Sequence, residues 1–159
     1  MTVRETPAEA IAMTGPFIVR AEALLVQTDR RVELVDITDT VMEQVRQSGV
    51  REGLANLWSM HTTCALFINE AQKALQTDII SVLESIVDRD ADWQHNDPTH
   101  SDCDRMNADS HLRAMFLGHG LTLQITGGEP VLGQWQRILA AEMDGPRART
   151  IRLQMMGIG

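Results

Sequence analysis

Histidine is the residue type in this sequence that most directly suggests chemistry. Five histidines occur, at the positions His61, His95, His100, His111 and His119. Imidazole is the commonest side-chain ligand for zinc, and a catalytic zinc has about three protein ligands and one open position for water or substrate. Because four of these residues fall in one short part of the chain, the sequence suggests a metal site that the fold would have to assemble.

The spacing of the histidines and cysteines matches no compact metal motif. Neither a His-Glu-x-x-His nor a Cys-x-x-Cys pattern is present, and the two cysteines, Cys64 and Cys103, lie far apart. The acidic run from Asp88 fails as a calcium loop, because Trp93 stands where glycine is needed and Thr99 stands where a bidentate glutamate is needed. A solvated polar loop whose histidines bind nothing therefore stays open as an alternative to a metal site.

Strand patterns surround these residues on both sides. Two β-branched and leucine-rich segments, 17–28 and 31–36, flank Asp29-Arg30 and predict a hairpin. Runs of alternating or β-branched residues predict further strands at 53–60, 64–69, 121–126, 134–142 and 150–155. His61 would then lie in the connection between two strands.

Three helices are predicted from apolar residues at helical spacing. They begin near Thr38, Thr77 and Asn107, and the first and third end at Gly49 and Gly118. In the third helix Leu112, Met115 and Phe116 are expected to face inward. The polar stretch 88–107 between the last two helices is long for a connection, which favours a functional loop.

Composition limits the class of protein. With 159 residues, 43% hydrophobic and 23% charged, the chain predicts one globular domain over 17–159 behind a flexible N-terminal extension over 1–16. The formal net charge of -8 argues against nucleic acid or an anionic membrane as partner. No apolar run approaches the roughly 20 residues of a membrane span. Two cysteines are too few for a disulfide framework, so a cytoplasmic location is expected.

Four segments together resemble the YjbQ-like family, also called the secondary thiamine-phosphate synthase family. They are His61-Thr62-Thr63-Cys64-Ala65-Leu66-Phe67-Ile68-Asn69-Glu70, Trp93-Gln94-His95, Asn107-Ala108-Asp109-Ser110-His111-Leu112 and Leu132-Gly133-Gln134-Trp135-Gln136. Their order and spacing are similar to those of the family. Gln134 stands where the family signature has a threonine, and the stretch between His95 and Asn107 departs from the family pattern.

The resemblance implies a fold and a site. The fold is α+β, with antiparallel or mixed sheets of about seven or more strands, two to three flanking helices and assembly as a homotrimer. The site is a pocket in which His61, His95 and His111 are expected to hold a divalent metal ion, with zinc expected by analogy with other histidine sites. His61, Glu70 and Asn107 are the expected catalytic residues, and Arg113, Trp135 and Gln136 are expected to bind the ligand or cofactor.

The function implied is that of a metal-containing enzyme acting on phosphorylated small molecules, with a weak thiamine-phosphate synthase activity. Arginine can bind phosphate with two parallel hydrogen bonds. Of Arg105, Arg113, Arg147 and Arg149, the sequence favours Arg113, because it is close to His111 along the chain. A metal-dependent hydrolase and a non-catalytic trimer that binds a metal or another ligand remain the alternatives, the latter with His100 or Cys103 as a fourth ligand.

Overall fold

The computed structural model describes residues 12–159 and has the predicted α+β fold. Within these residues there are eight strands and three α-helices, and a short 3-10 helix lies in the polar loop at Gln94–Asn96. The strands are β1 Phe17–Gln27, β2 Glu33–Asp36, β3 Glu52–Ser59, β4 Cys64–Asn69, β5 Gly120–Thr126, β6 Glu129–Pro130, β7 Arg137–Glu142 and β8 Ala148–Ile158. The helices are α1 Thr38–Ser48, α2 Lys73–Ile86 and α3 Ala108–Leu117.

The strands form two antiparallel sheets. The large sheet has the order β1-β8-β3-β5-β6, and the small sheet has the order β2-β7-β4. The predicted hairpin of the first two strands is wrong, because β1 pairs with β8 and β2 pairs with β7. The contact between β1 and the β8 segment continues one residue past β1, where the Thr28 backbone N–H donates to the Arg147 carbonyl at 3.1 Å, and the chain then crosses to the small sheet.

The small sheet is buried on both faces. Leu66, Ile138 and Ala140 face the large sheet and α1, where they join the main hydrophobic core. Ala65, Ala141 and Met143 face the other way and pack with Leu83 of α2 and Ala114 of α3. This double burial explains why β7 has a nearly continuous apolar sequence instead of an alternating one.

The large sheet, by contrast, is covered on one face only. Its inward residues alternate with outward ones, as the sequence of β5 and β8 predicts. The outward side chains include several large apolar ones, with exposures of 67% for Phe17, 57% for Val19 and 44% for Leu54. This outer face lies on the side of the large sheet away from the core.

The helices differ from the predictions in two respects. Helix α2 begins at Lys73, before the predicted Thr77, because the Gln72 side chain accepts a hydrogen bond from the Leu75 backbone N–H. In α3 the expectation that Met115 and Phe116 face inward is wrong, since both are more than half exposed. The small side chain of Ala114 lets the helix approach the small sheet closely, so the inward face is the one that carries Ala114.

Strand β1 starts at Phe17, the residue at which the sequence predicts the first strand. The predicted flexible extension, 1–16, falls largely on residues 1–11, which lie outside the described residues. Among residues 12–159, no helix combines the length and the apolar character that crossing a membrane requires.

Candidate functional site

One end of the small sheet carries a polar cavity of about 360 Å³. Four segments meet there: the β3–β4 turn with His61, the polar loop with His95, the start of α3, and the connection from β7 to β8. The side chains around the cavity are mostly histidine, arginine and other polar types: His61, Thr62, Thr63, His95, Cys103, Arg105, Asn107, His111, Asp144, Arg147 and Arg149. We call this space the histidine cavity.

Two of the predicted histidines contact one another. The rings of His95 and His111 meet edge to face, with their centroids 5.0 Å apart. Burial lowers the pKa of His111 below its usual value, and the neighbouring His95 lowers it further. Both effects favour the neutral imidazole, which is the form that binds metals and accepts protons.

His61 lines the same cavity but its ring is already engaged. Its Nε2 atom accepts a hydrogen bond from the Thr150 backbone N–H at 2.9 Å. Burial, and after it the positive charge of Arg149, lowers the pKa of His61. A neutral imidazole that accepts at Nε2 carries its proton on Nδ1, so His61 is a hydrogen-bond donor at that atom.

The residues do not fit a three-histidine metal site in this arrangement. Among residues 12–159, no group of three histidine, cysteine, aspartate or glutamate side chains is placed to hold one ion. His61 has its lone pair occupied by Thr150, whereas His95 and His111 offer the right donor chemistry as a pair. His100, a suggested fourth ligand, is exposed and bonds Asp97 at 3.0 Å.

Asn107 is buried beside the cavity and holds an aspartate. It occupies the N-cap position of α3, as predicted, but makes no capping bond with its side chain. Its Nδ2 atom instead donates to Asp144 Oδ2 at 2.9 Å. Asp144 also pairs with Arg147 at 3.1 Å and with Arg105 at 3.7 Å, so its negative charge lies between two guanidinium groups.

A buried ion pair lies beneath this group. Arg149 is 2% exposed and donates from Nε to Glu142 Oε2 at 2.6 Å and from Nη2 to Thr63 Oγ1 at 2.9 Å. Glu142 also accepts from Thr28 Oγ1 and from the Asp144 backbone N–H. These bonds involve Nε and Nη2 of Arg149 and leave its Nη1 atom without a partner in the network. Arg149 also lines the histidine cavity.

Arg113, the arginine that the sequence favours, lies elsewhere. It is buried, donates from Nη2 to the Val87 carbonyl at 2.8 Å and pairs with Asp109 at 3.3 Å. Residues two apart on a helix point in nearly opposite directions. Because His111 points into the cavity, Arg113 points away from it. It lines a separate cavity that also contains Arg31.

Glu70, Trp135 and Gln136 lie at the opposite end of the small sheet. Asn69, the last residue of β4, is paired with Arg137, the first residue of β7. Trp135 is 66% exposed, and Gln136 accepts a hydrogen bond from the Gly133 backbone N–H at 2.7 Å. A six-residue strand spans roughly 17 Å between its end residues. Within one chain, therefore, these residues are not brought to the histidine cavity.

Three arginines that the sequence does not favour line the cavity. Arg147 lies just before β8, Arg149 is the second residue of β8, and Arg105 approaches from the polar loop. The alternation of the two arginines just after a Gly-Pro turn was the signal available in the sequence. Their role depends on Asp144 and Glu142, however, and that pairing cannot be read from spacing.

Comparison with known proteins agrees with the sequence motifs. A family model described as UPF0047 protein YjbQ-like matches residues 22–158. The chain belongs to the YjbQ-like UPF0047 family. A UPF0047 protein of Methanothermobacter thermautotrophicus is 45% identical over 139 residues, which cover 87% of this chain and 93% of the relative. The UPF0047 protein YugU of Bacillus subtilis is 30% identical and covers 86% of this chain and 98% of its own length.

Solved structures from the same family share the fold. A protein of unknown function from Sulfolobus solfataricus superposes with a TM-score of 0.83 at 34% identity, over 89% of this chain and 99% of the other. A hypothetical protein from Aeropyrum pernix gives a TM-score of 0.80 at 35% identity, over 87% and 98%. These similarities show the family and the fold, and none of the names states a reaction.

Proposed function

We propose that this YjbQ-like protein is an enzyme that binds a phosphorylated small molecule in the histidine cavity. The observation that carries the proposal is the convergence of Arg105, Arg147 and Arg149 with three histidines in a protein whose net charge is -8. Guanidinium groups match the geometry of phosphate oxygens. A local concentration of donors in an otherwise acidic chain favours a specific anionic ligand over a nonspecific one.

The histidines complement the arginines as donors. His61 presents a proton on Nδ1 while remaining neutral, because Thr150 occupies its Nε2. A neutral donor can bind a phosphate oxygen without raising the charge of the cavity. His111, whose lowered pKa favours the neutral imidazole, is suited to accept a proton from a bound ligand.

The family resemblance supplies a reaction for this site, the synthesis of thiamine phosphate. A pyrimidine-methyl diphosphate loses pyrophosphate, and the nitrogen of a thiazole phosphate forms the new bond to the methylene carbon. The bond from that carbon to the diphosphate oxygen breaks, and its electron pair leaves with the pyrophosphate. Arg147 and Arg149 would stabilise the negative charge of this leaving group.

Zinc is a separate part of the proposal. His95 and His111 are the two imidazoles whose chemistry and proximity suit it, and a bound zinc ion would supply positive charge for a phosphate oxygen. Metal content measured on the purified protein tests this. We expect His111→Ala to lose zinc, whereas His100→Ala, which changes an exposed histidine paired with Asp97, should retain it.

Assembly as a homotrimer is likewise proposed from the resemblance. The outer face of the large sheet supports it, since Phe17, Val19 and Leu54 form an exposed apolar surface of the kind that protein interfaces cover. Light scattering on the purified chain measures its mass in solution. Val19→Glu should lower that mass if this face lies between subunits.

Calorimetric titration with inorganic pyrophosphate tests the central proposal. We expect one binding site per chain in the wild type and a loss of affinity of at least about ten-fold in Arg147→Met, because one charge-assisted contact of about 1.5–3 kcal/mol is removed. Arg46→Met is the matched control, since Arg46 pairs on the surface with Glu129. Equal affinity in all three proteins would refute the proposal.

An assay of pyrophosphate release distinguishes the possible reactions. Release that requires both the pyrimidine diphosphate and the thiazole phosphate indicates a synthase. Release from the diphosphate alone, with water as the acceptor, indicates the metal-dependent hydrolase that is the second candidate. Binding without turnover of either kind indicates a non-catalytic binding protein.

A further inference from the structure

A second cavity of about 340 Å³ adjoins the histidine cavity. Its lining consists of Trp58, Ser59, Met60, His61, Thr62 and His119. Met60, His61 and Thr62 belong to both cavities, so the two spaces share a wall. Among residues 12–159, no arginine lines this second cavity, whereas three line the histidine cavity.

Several of the polar groups around the second cavity are hydrogen-bonded to one another. The Ser59 backbone N–H donates to the His119 carbonyl at 2.8 Å, and Ser59 Oγ donates to the His61 carbonyl at 3.3 Å. His119 Nε2 lies 3.4 Å from the Thr62 carbonyl. The large apolar groups that this lining exposes are the side chains of Trp58 and Met60, which are 53% and 56% exposed.

The Trp58 ring occupies space that a glycine leaves open. Gly120 is the partner of Trp58 in the neighbouring strand β5. A Cβ atom at position 120 would lie 2.8 Å from Trp58 Cε3, so the ring occupies the space that a side chain would need. The six-membered part of the indole therefore lies against Gly120, and the ring borders the second cavity.

We infer that the second cavity binds the carbon part of the ligand, and that this part is a planar ring attached to the phosphate. The inference rests on the proposed function, because it requires the phosphate to lie in the histidine cavity. A planar ring would contact the Trp58 indole and Met60, while its phosphate would reach Arg147 and Arg149 past the shared wall at His61. Trp58, Met60 and His119 are specificity-determining residues in this account.

Dissociation constants for inorganic phosphate, methyl phosphate and phenyl phosphate test the inference. The wild type should bind phenyl phosphate about ten-fold more tightly than methyl phosphate, the effect of one aromatic contact with its buried apolar area. Trp58→Ala should abolish this preference and leave the affinity for inorganic phosphate within about two-fold. Trp58→Phe, which keeps an aromatic ring, should restore most of the preference.

Phe116→Ala is the matched control for the loss of an exposed aromatic residue, and it should behave as the wild type does. If inorganic phosphate binds but methyl and phenyl phosphate bind equally, the inference is wrong while the proposed function stands. The inference is also wrong if Trp58→Ala weakens all three ligands alike. If the wild type binds none of them, the proposed function fails and the inference fails with it.

Discussion

The two ends of the small sheet contain similar residue types in different surroundings. At one end, Glu142 and Arg149 form an ion pair that is almost fully buried. At the other end, Arg137 bonds Asp36 at 2.8 Å and Asp39 at 2.9 Å on the surface. Only the first of these pairs borders the histidine cavity.

The two ends differ in how their ion pairs are held in place. A surface ion pair exchanges easily with water and contributes little to stability, whereas a buried pair depends on every partner being present. Glu142 accepts bonds from Arg149, Thr28 and the Asp144 backbone, so it links the two sheets to the β7–β8 connection. The end of the sheet with this buried and fully bonded ion pair is therefore the end suited to hold a ligand.

The largest effect is expected from breaking the buried pair. Arg149→Met leaves the Glu142 carboxylate buried without its counter-charge, which should lower the free energy of unfolding by about 3–5 kcal/mol. The matched substitution at the other end, Arg137→Met, should cost about 1 kcal/mol or less. Urea unfolding of the three proteins measures both values. Equal losses would show that the two ends do not differ in the way described.

A smaller effect is expected at Asn107. Asn107→Ala removes the amide group whose Nδ2 donates to Asp144 Oδ2 at 2.9 Å. Because Asp144 then lacks a buried hydrogen-bond donor, the free energy of unfolding should fall by about 1–3 kcal/mol. Gln136→Ala removes a hydrogen bond of 2.7 Å at the exposed end and should cost less than Asn107→Ala does. The same unfolding experiment compares them, and the reverse order would contradict the comparison.

The smallest effect concerns pH. The pKa values of His61 and His111 are lowered in the folded protein, so the unfolded chain takes up protons first as the pH falls below about 6.5. Their contribution to stability is present above that pH and is lost below it, as the pH approaches the lowered folded values. Melting temperatures between pH 5.5 and 7.5 should therefore rise with pH. His111→Gln should flatten this rise, and an unchanged rise in that variant would contradict the assignment.

Much of the fold follows from local patterns. Alternating residues identify β5 and β8, and Gly49, with its left-handed backbone (φ 80°), ends α1 where the sequence predicts. The pairing of β1 and β2 was predicted wrongly because adjacent strands in the chain favour a hairpin, whereas here they belong to different layers. Which strands pair depends on long-range packing that periodicity does not record.

The site follows from the sequence only in part. The motifs around His61, His95 and His111 indicate residues that the fold brings to one cavity, and Asn107 joins them. Glu70, Trp135 and Gln136 belong to matching motifs, yet β4 and β7 carry them to the far end of the sheet. Arg113 was favoured for its position in the sequence, and the rotation of the helix places it on another face.

The central claim is that the phosphorylated ligand binds at the end of the small sheet that carries the buried Glu142–Arg149 pair. Amide resonances of the isotope-labelled protein, followed by NMR during a titration with pyrophosphate, test it most directly. The account predicts shifts concentrated at 61–63, 107–111 and 144–150, with the resonances of 69–70 and 133–136 unchanged. Shifts confined to 69–70 and 133–136, or the absence of any shift at saturating pyrophosphate, would contradict it.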